Sequence, residues 1–70
     1  MKKPEIHMDF ELISDHKHGR HCCVNVFHNE VFLGEFDDMA YEEASASAVE
    51  ILLDNMAEEN LITVVKSGTR

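Results

Sequence analysis

Residues 5 to 14, "EIHMDFELIS", alternate. Ile6, Met8, Phe10 and Leu12 fall on one side of an extended chain, and His7, Asp9 and Glu11 on the other. Period two over that length predicts a strand with one buried face. The polar run "DHKHGR", with Gly19, reads as a hairpin connection. Two β-rich runs follow, "HCCVNVFH" and "VFLGEF", separated by Asn29-Glu30. A two-residue loop there would pair Phe27 with Phe32 and Val26 with Leu33.

The period then lengthens. Ala40, Ala44, Ala48, Ile51, Leu52 and Met56 recur at three- and four-residue steps with no Gly or Pro before Gly68. They predict one long helix near 39–59, its first half small enough to lie close on a sheet. Asp37 or Asp38 would cap its start, Glu42 and Glu43 suit the positive end of its dipole, and Asn60 would end it. "LITVVK" returns as a short strand, and "SGTR" is a frayed tail. The expected fold is one small α+β domain over residues 1–70, β-β-β-α-β, with an antiparallel sheet of three to four strands and one long helix packed on it. A chain of 70 residues builds a barely sufficient core, so dimerisation through an edge strand, most simply the first or the last, would complete it.

Charge narrows the functional classes. The net charge is -8, and from His21 to Val65 there are ten carboxylates and no Lys or Arg. The six cations, Lys2, Lys3, Lys17, Arg20, Lys66 and Arg70, sit in the termini and one loop. Nucleic acid and anionic lipid need a basic surface, so neither is an expected direct partner; a basic protein is. No apolar run approaches the ~20 residues of a membrane span, and "MKKPEIHMDF" lacks the apolar centre of a signal peptide. Cys22 and Cys23 are adjacent and would point to opposite faces of a strand, which disfavours a disulfide between them. A cytoplasmic, reducing setting is the expectation.

Glu43, Glu50, Asp54 and Glu58 share one outer face of the predicted helix, the last three about 6 Å apart along its axis. Successive phosphates of a nucleic-acid strand are spaced similarly, so such a row would occupy arginine and lysine sites that otherwise hold a backbone. Its plain alternative is a solvated face that keeps a small protein soluble. On the first reading, changing Glu50, Asp54 and Glu58 to Gln would weaken partner binding while leaving the fold intact or slightly more stable.

"HKHGRHCC" gathers His16, His18, His21, Cys22 and Cys23, donors that zinc or copper accept. Adjacent cysteines lack the spacing of known structural sites, so no metal and no cofactor is expected. Catalysis is not expected either, because a layer this thin has no walls for a deep pocket.

"FDDMAYEEA", Phe36 to Ala44, resembles the helix-start segment of a small acidic phage anti-CRISPR family, the seventh described against type I-F systems. The resemblance covers nine residues closely, and the Gly- and Pro-containing break of that family is replaced here by "SASAVEILL". It implies a protein that blocks a CRISPR surveillance complex by placing carboxylates in the basic site for target DNA. Residue by residue, it implicates Asp37, Asp38, Glu42 and Glu43; Glu50, Asp54 and Glu58 come from the helix spacing. The combined expectation is an acidic inhibitor that mimics nucleic-acid charge and occupies the basic site of a nucleic-acid-binding protein. An antitoxin-like partner of a basic toxin and a small metal-binding protein are the alternatives.

Overall fold

The computed structural model describes residues 2–39 and 45–70. The elements are β1 (Glu5–Asp15), β2 (Gly19–His28), β3 (Val31–Asp37), α1 (Ala46–Glu58) and β4 (Thr63–Gly68). They form a small α+β fold with one four-stranded sheet, in the order β3-β2-β1-β4. β1 pairs antiparallel with β2, and β2 with β3, as the hairpins require. β4 pairs with β1 in parallel, so the sheet is mixed rather than antiparallel throughout. The reason is the route of the chain. β3 runs in the same direction as β1, α1 carries the chain back across the sheet, and a strand leaving such a crossover emerges parallel. This topology also puts β1 in the interior of the sheet, so the strands open to edge pairing are β3 and the last strand, β4, and not the first.

One face of the sheet carries the core. Ile6, Met8 and Phe10 of β1, Val24 and Val26 of β2, Ala46 and Val49 of α1, and Ile62 form one buried cluster, flanked by Cys22, Phe36, Leu53, Met56, Ala57 and Val64. The alternation in β1 is therefore realised at Ile6, Met8 and Phe10, since burying one face is what period two specifies, but it fades at Leu12, which is half-buried and outside the cluster.

The turns follow from local chemistry. Asp15 Oδ1 accepts from the N–H groups of Lys17 at 2.8 Å and His18 at 2.6 Å, and Gly19 closes the loop at φ 73°. Those donors, the His18 N–H foremost, hold the Asp15 carboxyl below its ordinary range. Asn29 and Glu30 both have positive φ, 49° and 72°, the pattern of a two-residue turn that matches strand twist. Phe27 pairs with Phe32 as expected, but Val26 faces Gly34 instead of Leu33. A bulge at Val26/Phe27 leaves Leu33 without a cross-strand partner and shifts the register.

α1 differs from its prediction in length and in phase. Its N-cap is Ser45, whose Oγ accepts from the Ala48 N–H at 3.2 Å, not Asp37 or Asp38. Ala40, Glu42, Glu43 and Ala44 lie outside the described residues. The buried face is Ala46, Val49, Leu53 and Met56, at steps of three, four and three. Of the described residues of the predicted stripe only Met56 joins it; Ala48 is exposed, as are Ile51 and Leu52 at 62% and 59%. The helix is apolar around much of its circumference, so two overlapping stripes satisfy the period and the sequence alone cannot choose. Asn60, at φ 63°, ends it as expected. Its N–H bonds the Ala57 carbonyl and that of Leu61 the Met56 carbonyl, both at 3.0 Å.

Candidate functional site

The helix row is assembled, and much of it is neutralised. Glu50 and Asp54 both receive Lys66 of β4, at 2.9 and 3.0 Å, and Glu50 also receives the Arg70 guanidinium. The same guanidinium lies 4.3 Å from the centre of the Phe10 ring. The Glu50 side chain is 16% exposed. These two cations, far along the chain, supply the relief that is missing between His21 and Val65. Glu50, Asp54, Lys66 and Arg70 thus form a latch that ties the helix to β4. Glu58 has no ion pair among the described residues and stands free at the end of the row.

Asp37 and Asp38 also have internal partners. Asp37 Oδ1 accepts from the Met39 N–H at 2.8 Å, and its Oδ2 lies 3.0 Å from His21 Nε2. Asp38 Oδ1 accepts from the Ser47 N–H at 3.2 Å, so it satisfies a donor in the first turn of α1 from outside the helix. Asp38 thus contacts the first turn of α1 from just beyond β3, and Ser45, not an acid, is the capping residue.

Among the described residues no helix lies over the other face of the sheet, where Cys23 alone is fully buried, and the register sets its rows. The first row is Val65, His7, Phe27 and Phe32; the second is Ser67, Asp9, Asn25 and Glu35; the third is Glu11, Cys23 and Asp37. Glu5 and Thr63 lie beyond the first. Neighbouring strands are about 4.8 Å apart and successive rows about 7 Å. Glu5, Asp9, Glu11, Glu35 and Asp37 are therefore spread as a grid, and none of these rows contains Lys or Arg. The chain's charge is segregated: Lys66 and Arg70 turn to the helix side, while the open face keeps five carboxylates.

Aromatic rings continue that face. Phe27 meets His7 and Phe32 edge to face, with ring centres 6.1 and 5.6 Å apart. His7 Nε2 lies 2.6 Å from Ser67 Oγ, which lies 3.3 Å from Asp9 Oδ1. Here the carboxylate contacts the hydroxyl and not the second ring nitrogen, so the order that orients a base toward a nucleophile is not formed.

Cys22 and Cys23 are both free thiols on opposite faces. Cys22 packs on the core, and burial raises its pKa. Burial, then the carboxylates of Glu35, Asp37 and Glu11, push the Cys23 thiol up to about 12. Such thiols are inert at neutral pH. His16 and His18 stand on the hairpin tip while His21 is taken by Asp37. Among the described residues, no three His, Cys, Asp or Glu side chains come together as a metal site would need. No described helix is long and apolar enough to cross a membrane.

Comparison with protein-family models, curated proteins and solved structures gave no match. Of the open-face carboxylates only Asp37 is among the residues the sequence singled out. Asp9 and Glu11 carried a signal, as the polar phase of the alternation that identified the core, whereas "VFLGEF" sets Glu35 apart by no such pattern.

Proposed function

We propose that this protein is an acidic inhibitor that binds the basic site of a nucleic-acid-binding protein, presenting carboxylates where that partner takes phosphates. The observation that carries this reading is the open face of the sheet. It displays Glu5, Asp9, Glu11 and Glu35 in rows about 7 Å apart with no Lys or Arg among them, and Asp37, already paired with His21, at their border. Adjacent phosphates along a strand have comparable separation, and strands β1 to β3 fix the grid before the partner arrives. Preorganised charge of this kind accelerates encounter and makes binding steeply dependent on salt. Glu58 extends the charged surface on the helix, whereas Glu50 and Asp54 act chiefly within the latch. The resemblance at Phe36–Ala44 makes a CRISPR surveillance complex the first partner to test.

The test uses the tagged chain as bait for a purified surveillance complex and for bacterial lysate, with elution in salt steps. Asp9→Asn, Glu11→Gln and Glu35→Gln together should abolish retention of whatever the parent chain holds, and the parent chain should compete with the retained partner's target nucleic acid. Equal retention of the triple variant, or a partner that binds its target equally well with and without the chain, would refute the reading.

A further inference from the structure

The open face has a depression at its turn end, about 380 Å³ in volume, lined by Glu5, His7, Phe27, Asn29 and Glu30. Its size falls within the range of about 300 to 1,000 Å³ that encloses small ligand groups. The composition of its walls is specific. Phe27 supplies an aromatic surface, held in place by its edge-to-face contacts with His7 and Phe32. Glu5 and Glu30 supply two carboxylates, and Asn29 a carboxamide that approaches His28 Nε2 at 3.4 Å. Lys2 and Lys3 line the adjoining depression, with Lys3 Nζ donating to Asn60 Oδ1 at 3.2 Å. Neither lysine forms an ion pair with Glu5 or Glu30 among the described residues.

We infer that this depression receives an arginine side chain of a basic partner, the guanidinium lying against Phe27 and reaching the carboxylates of Glu5 and Glu30. A guanidinium stacks on an aromatic ring, carries donors in a fixed fork, and is weakly hydrated; an ammonium is a compact, strongly hydrated point charge. An aromatic wall beside two acids therefore favours arginine over lysine, which charge alone would not. This inference rests on the proposed function and adds to it the residue type that the open face selects.

The test is calorimetric titration of the full chain with a short arginine-rich peptide and with its lysine counterpart, at one fixed ionic strength. The parent chain should bind the arginine peptide more tightly. Phe27→Leu should reduce that affinity about twofold to fivefold, the usual strength of a cation on an exposed ring, and should shrink the arginine preference. Phe27 also packs on its neighbours, so Glu30→Gln, at an exposed turn, serves as the second variant and should weaken both peptides without changing the unfolding midpoint. If Glu11→Gln with Glu35→Gln weakened binding while Phe27→Leu and Glu30→Gln did not, the pocket would be refuted and the acidic face retained. Equal affinity for the two peptides in the parent chain would also refute the pocket. If no variant on the open face changed affinity, both readings would fall.

Discussion

Glu50 is the residue on which the helix row and the latch disagree. As a free member of a row of like charges, it should be neutral or stabilising to remove. In the structure its side chain is 16% exposed and meets two cations, Lys66 Nζ at 2.9 Å and the Arg70 guanidinium. A hydrogen bond to a charged group is worth about 1.5 to 3 kcal/mol. Lys66 and Arg70 are 39% and 55% exposed, so solvent screens both and the larger value does not apply. Glu50→Gln keeps the shape, loses the charge, and should cost about 1 to 2 kcal/mol. Asp54 is 44% exposed and meets Lys66 alone, so Asp54→Asn should cost about 0.5 kcal/mol. Glu58 lies in the last turn, where a negative charge opposes the helix dipole, and Glu58→Gln should stabilise by about 0.3 kcal/mol. For a domain of this size about 1 kcal/mol moves Tm by roughly 4 to 8 °C, so the three variants should be ordered by thermal unfolding followed by circular dichroism. The Glu50→Gln loss should shrink in high salt. A Glu50→Gln chain as stable as the parent at low salt would show that the latch contributes nothing and return Glu50 to the row of free charges.

Other outcomes follow from backbone and thiol positions. Glu30 holds φ 72°, a region that costs a side-chain-bearing residue about 1 kcal/mol, so Glu30→Gly should raise the urea midpoint without changing the slope. Gly68 has φ 89°, and a Cβ there would run into the backbone of Phe10, so Gly68→Ala should lower stability by more than about 1 kcal/mol and be visible in the same assay. Cys23 has its pKa raised on folding from 9.0 to about 12. The folded state therefore binds the thiol proton more tightly than the unfolded state. That contribution to stability is complete below pH 9.0 and is lost as the pH rises toward about 12. Replacing Cys23 with Ala should flatten this alkaline decline, which unfolding midpoints measured from pH 8 to 11 will show.

Strands were legible because period two is a direct consequence of strand geometry, and Ile6, Met8 and Phe10 have no second way to be buried together. Asn29-Glu30 was legible as a turn, yet the neighbouring bulge was not, since nothing in "VFLGEF" separates Leu33 facing a partner from Leu33 set aside. Helix phase was lost for a related reason: Ala46, Val49, Leu53 and Met56 compete with Ala48, Ile51, Leu52 and Met56, and the choice depends on what α1 rests upon. The parallel placement of β4 depends on a crossover, which is a global property. Charge was the least legible. Glu50 is separated from Lys66 by sixteen residues and from Arg70 by twenty, so a run of acids that looks unrelieved along the chain is relieved in space. Meanwhile the acids of β1 and β3, separated by solvent-side alternation, gather into one face.

Binding of a cationic partner at the open face of the sheet is open to amide chemical-shift mapping of the nitrogen-15-labelled chain, titrated with an arginine-rich peptide at low salt. Shifts should concentrate at His7, Asp9, Glu11, Asn25, Phe27 and Glu35 and diminish as salt is added. Shifts confined to the exposed side of α1, around Glu58 and Glu59, with β1 to β3 unmoved, would contradict it.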